Sequence, residues 1–86
     1  MDVSITLTVT QELGEPWVEL EGMCENEEGI LTLTGVCAKI ISLAYRFHGN
    51  LIPKTKEIPC NHFFLAIDFP SLEHKNVFLS ELPTVR

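Results

Sequence analysis

From Val3 to Thr10, apolar and hydroxyl side chains alternate without a break: Val3, Ile5, Leu7 and Val9 against Ser4, Thr6, Thr8 and Thr10. A period of two belongs to a strand with one apolar and one hydroxyl face, not to a helix. Gln11 to Pro16 interrupts the pattern, with Gly14 and Pro16 as breakers. Trp17-Val18-Glu19-Leu20-Glu21 then resumes it. Val18 and Leu20 point one way; Trp17, Glu19 and Glu21 point the other. A connection this short cannot cross over a sheet, so the two strands are expected to pair as an antiparallel hairpin.

Gly22 to Gly29 reads as a polar, acidic loop. Ile30-Leu31-Thr32-Leu33-Thr34 alternates again. It is assigned to a third strand, because two threonines and Gly35 weaken a helix; the opening of the next helix is the other reading. Val36 to His48 predicts a helix, since Val36, Cys37, Ile40, Ile41, Leu43, Ala44 and Phe47 recur at helical spacing. Thr34 is placed to cap its start, and Gly49-Asn50 to stop it. A helix this apolar needs cover on more than one side. A sheet would supply one cover, and a second subunit through Ile40, Ile41, Ala44 and Phe47 the other.

Leu51 to Pro59 reads as a loop, and His62 to Phe69 as a strand with Phe63, Leu65, Ile67 and Phe69 on one face. Pro70 to Lys75 is a connection or one helical turn. Val77 to Leu82 is a last short strand or helical turn, ended by Pro83, with a frayed tail beyond. Eighty-six residues make one domain, 1–86, and an apolar fraction of 45% argues against disorder. The expected class is α+β: an antiparallel sheet of four to five strands with one main helix across one face, in the order ββ(β)αββ.

Charge divides the chain. Residues 1–38 hold eight acidic side chains and no basic one; from Lys39 onward six basic residues meet four acidic ones, for a net charge of −6. Such a segment repels nucleic acid and anionic membranes and attracts basic surfaces. Glu19 and Glu21 share the strand face of Trp17, roughly 6.6 Å apart at two rises of about 3.3 Å. An aromatic ring beside carboxylates suits an Arg- or Lys-rich partner. Glu12, Glu15, Glu25, Glu27 and Glu28 flank this face on the adjoining loops. The expected function is that of a small acidic, non-enzymatic inhibitor or adaptor. It would occlude a basic or nucleic-acid-binding surface of a partner protein, as acidic proteins of viruses and mobile elements do. The plainer alternative is a solvated face that keeps the chain soluble.

Other chemistries find less support. Cys60-Asn61-His62 sets a thiol near an imidazole, but no cysteine-hydrolase signature surrounds the pair. Cys24, Cys37, Cys60 and His62 offer a mixed zinc donor set without the C-x(2–4)-C pairs typical of zinc folds. Lys39, Arg46, Lys54 and Lys56 make a small basic patch expected to pair with the acidic half. Gly14, Gly22, Gly29, Gly35 and Gly49 are too scattered for a phosphate-binding loop. No cofactor is expected. The opening residues lack a basic, then apolar, leader pattern, and no run is expected to approach the ~20 apolar residues that span a bilayer. The expected location is the cytoplasm, that of the host if the protein is viral.

Overall fold

The computed structural model describes residues 5–53 and 59–85. Two strands open the chain, β1 (Ile5–Gln11) and β2 (Trp17–Cys24). A 3-10 turn, Glu27–Gly29, leads directly into α1 (Ile30–Arg46). β3 (Asn50–Leu51), β4 (His62–Asp68) and α2 (Leu72–Glu81) follow, and the chain continues as a 3-10 turn, Leu82–Val85. The sheet order is β1-β2-β4-β3 and every pairing is antiparallel. The fold is therefore α+β, with each hairpin followed by a helix.

Alternation decides which side of the sheet is covered. Val18, Leu20 and Cys24 of β2 and Phe63 and Ile67 of β4 are buried. They pack with Leu33, Val36, Ile40, Leu43 and Ala44 of α1 and with Phe78 and Leu82 from the C-terminal helical segment. Both helices thus lie on one face. The opposite face displays Thr6, Thr8, Thr10, Glu19, Glu21, Met23, Phe64 and Asp68, all exposed or half-buried. None of the described helices covers it.

Several expectations are corrected. Ile30–Thr34 is helix, not a third strand, so α1 starts six residues before Val36; the sheet's four strands include Asn50–Leu51, expected as a helix stop and the start of a loop, which pairs with β4. Leu33 belongs to the stripe continued by Val36, Ile40 and Leu43, and its burial outweighs the propensity cost of the threonines. Thr34 does not cap the helix; its hydroxyl donates to the Ile30 carbonyl one turn back, 2.9 Å away. Second, where the sequence predicts a connection or helical turn and then a short strand or helical turn, Leu72–Glu81 forms one continuous ten-residue helix. Ser71 caps it, its Oγ accepting from the His74 amide at 3.3 Å. Third, Ile40 and Ala44 are not available to a second subunit, because both are buried within the chain's own core. Ile41 and Phe47 are half-buried.

The stretch Glu27–Arg46 is also long and apolar enough, by length and composition, to cross a membrane, against the expectation from the sequence. In this fold five of its side chains line the core instead. α1 ends in a Schellman motif. The Gly49 amide donates to the Ala44 carbonyl at 2.8 Å and the His48 amide to that of Tyr45 at 3.1 Å. His48 takes the left-handed position, φ 61°. The sequence places the stop correctly but assigns it to Gly49, which is needed for space: a Cβ there would lie 2.8 Å from Ile67 and 2.9 Å from Phe69.

Gly35 has no such role. A Cβ on it meets nothing within 4 Å, and it sits exposed in the interior of α1. Gly35→Ala is expected to stabilise the fold by about 0.5–1 kcal/mol, read as a rise in the urea midpoint. A fall in the midpoint would reveal a hidden requirement for glycine.

Candidate partner-binding face

The sheet register builds the site. On the open face Trp17 stands opposite Asp68, Glu19 opposite Ala66, Glu21 opposite Phe64 and Met23 opposite His62. On the other flank of β2, Thr10 stands beside Glu19, Thr8 beside Glu21 and Thr6 beside Met23. The row of Trp17, Glu19 and Glu21 read from the sequence thus runs along a central strand. A threonine ladder borders it on one side and Phe64, Ala66 and Asp68 on the other.

At the Trp17 end the face dips into a depression of about 340 Å³ lined by Trp17, Val18, Glu19, Ile52, Ala66 and Asp68. Ala66 is buried at its floor, Trp17 is half-buried at its side and Asp68 is exposed at its rim. Ile52 is held there by its amide, which donates to the Ala66 carbonyl at 2.8 Å. Two carboxylates and an indole around an apolar floor offer a cationic side chain charge for its head and surface for its stem.

The remaining glutamates are not gathered in one cluster. Glu12 and Glu15 sit exposed in the β1–β2 turn, at the Trp17 end. Glu25, Glu27 and Glu28 are exposed at the other end of β2. Eight residues of strand, roughly 25 Å, separate the two groups. Together with Glu19 and Glu21 they form a long acidic stripe. Lys39 and Arg46 project from the helical layer on the far side; Lys54 and Lys56 lie outside the described residues.

The β1–β2 turn is anchored from beneath. Lys75 of α2 is buried, 1% exposed, and its Nζ donates to the carbonyls of Glu15 at 2.7 Å and Glu12 at 3.1 Å. The contact runs through backbone oxygens of the turn, not through the two glutamate carboxylates.

The thiol and zinc alternatives gain little. Cys37, Cys60 and His62 line one groove of about 270 Å³ between α1 and β4. Cys24 is buried and does not line this groove; its Sγ donates to the carbonyls of Asn26 at 3.3 Å and Asn61 at 3.7 Å. No three His, Cys, Asp or Glu side chains among the described residues are grouped to hold a metal ion. Burial pushes the Cys37 thiol above its ordinary pKa, which keeps it protonated and a poor nucleophile.

Phe64, Ala66, Asp68 and Ile52 are site residues that sequence reasoning missed. The alternation of β4 could assign the first three to the face opposite Phe63 and Ile67. Nothing local could set them beside Glu19 and Glu21. No family model, no curated protein and no solved structure matches the chain.

Proposed function

We propose that this chain is a non-enzymatic binding protein, an inhibitor or adaptor whose open sheet face occludes a basic surface on a partner protein. The observation that supports this reading best is the depression where Glu19 and Asp68 flank Trp17 on a sheet face that no described helix covers. An Arg or Lys side chain of the partner enters this depression. Glu21 and the turn glutamates meet further basic groups around it, and Phe64 and Met23 add apolar contact. Such a face works by complementarity alone and requires no reacting group.

The test is capture of a partner from source-cell lysate by the parent chain and by Glu19→Lys/Glu21→Lys. The double reversal leaves the core side of the sheet untouched, so the circular dichroism spectrum is expected to persist. Close charge pairs across interfaces couple by about 1.5–7 kcal/mol, so affinity is expected to drop roughly a hundredfold or more. Binding by the parent should also weaken with salt. Salt-insensitive binding that survives the double reversal would remove this reading.

A second reading, as an assembly subunit, draws on the outer side of α1. Leu31 is 85% exposed and Tyr45 62%, on the side where Ala38 is also exposed. In that case Ile41→Asp disrupts the assembly and the glutamate reversals leave it intact.

A further inference from the structure

We propose that β1 pairs antiparallel with β1 of a second copy, joining two sheets into one of eight strands. The proposal is independent of the basic-partner reading and concerns the edge of the sheet rather than its open face. The two edges of the sheet differ. β3 has only two residues, a length too short to template a further strand, whereas β1 runs for seven and pairs with β2 alone among the described strands. Sheet edges are ordinarily protected by charge, proline or a bulge. Ile5-Thr6-Leu7-Thr8-Val9-Thr10-Gln11 has no charged residue and no proline, and its pairing with β2 is continuous, without a bulge.

Register makes the second copy the fitting occupant. Paired with itself over its full length, the strand is centred on Thr8. Leu7 then faces Val9 of the other copy, Thr6 faces Thr10, and Ile5 faces Gln11. The core-side residues of both chains fall on one side and the threonines on the other, as a continuous sheet requires. Beside β1, on the helical side, Leu7, Val9, Leu79, Leu82 and Pro83 line a groove of about 380 Å³. A two-fold axis at Thr8 brings the two grooves side by side, so each copy covers the apolar residues of the other.

Charge points to the same place. In a chain of net charge −6, most approaches between copies bring carboxylates together. β1 is a neutral stretch of the acidic half, and antiparallel pairing sends the two turns bearing Glu12 and Glu15 to opposite ends of the seam. Among the described strands β1 is the one long strand at an edge of the sheet, so pairing through it closes at two copies. The joined sheet would set the two Glu19–Glu21 rows roughly 14 Å apart, three strand spacings of about 4.8 Å, on one shared face.

The test combines sedimentation equilibrium with site-directed cross-linking in a Cys60→Ser background, which removes the exposed native thiol. Directly opposed residues of antiparallel strands lie about 4.5–5.5 Å apart between Cα atoms, within the ~4.4–6.8 Å that a disulfide spans. Thr8→Cys is therefore expected to oxidise to a covalent dimer. Thr10→Cys alone does not, being roughly 14 Å from its own copy at about 3.4 Å per residue. A mixture of Thr6→Cys and Thr10→Cys chains does cross-link. The parent sediments at twice the chain mass. Thr8→Lys, which opposes two like charges at the axis on an exposed site, sediments as a monomer with an unchanged circular dichroism spectrum. A parent that remains monomeric up to millimolar concentration, or Thr8→Cys that oxidises no faster than Thr10→Cys, overturns the proposal.

Discussion

Phe63→Ala is expected to destabilise the fold by about 3–5 kcal/mol, and Gly22→Ala by about 1–3 kcal/mol, in urea unfolding followed by circular dichroism. The two residues are direct partners across the β2–β4 pair, on the covered face of the sheet. The phenyl ring lies over the glycine: a Cβ on Gly22 would stand 2.6 Å from Cζ and 2.8 Å from Cδ2 of Phe63. Removing the ring opens a void against α1. Adding a methyl group pushes the ring from its seat. Glycine in a central strand is here a slot for a neighbour and not a break in the strand. Because both changes act on one contact, they should not add. The double variant Gly22→Ala/Phe63→Ala is expected to cost less than the sum of the singles by about 0.5–3 kcal/mol, since the new methyl group occupies part of the void. Strict additivity would mean that ring and glycine act separately and that the close approach is unimportant to stability.

The same pair explains where the sequence was legible and where it was not. Trp17 to Glu21 reads as a strand because alternation is local. The strand continues to Cys24, but Gly22 in isolation looks like a breaker, and only the ring donated by β4 shows its use. Ile30–Thr34 also alternates, yet it folds as helix because Leu33 is in phase with Val36, Ile40 and Leu43. Two periodicities fitted those five residues, and burial chose between them. α2 hides for another reason: its buried residues are Lys75 and Phe78, and a lysine in the buried stripe erases the apolar pattern that would mark a helix.

The candidate site divides in the same way. The common face of Trp17, Glu19 and Glu21 follows from strand geometry. Phe64, Ala66 and Asp68 join it through a register between strands more than forty residues apart in sequence, which no local pattern encodes. The flanking glutamates were legible as charge but not as position. The turn and the loop that hold them leave β2 from opposite ends, so the acidic segment becomes a stripe.

Lys75→Ala is expected to lower stability by about 2–4 kcal/mol, through lost packing of the stem and lost hydrogen bonds of the head. For a chain of this size that is a drop in Tm of roughly 10–30 °C. Lys75 is buried beside Phe78, which is fully buried one turn later on the same helix. Its ammonium is satisfied by the Glu12 and Glu15 carbonyls, and the Glu12 carbonyl also accepts the Glu15 amide at 3.1 Å to close the turn. Lys75→Met separates the two contributions, since it keeps the stem and removes the donors. Both turn residues are exposed, so water can replace part of what the ammonium supplied. A loss of about 1–2 kcal/mol is expected for that variant. Hydrogen exchange at the Glu15 amide should accelerate in both variants, because the anchor under the turn is gone in each. Stability of Lys75→Ala within about 0.5 kcal/mol of the parent would show that the buried lysine is dispensable. The consequence for binding follows from position. The turn held by Lys75 presents Glu12 and Glu15 and leads through Pro16 into Trp17, so loosening it should weaken contacts at the Trp17 end of the face while leaving Glu25, Glu27 and Glu28 in place.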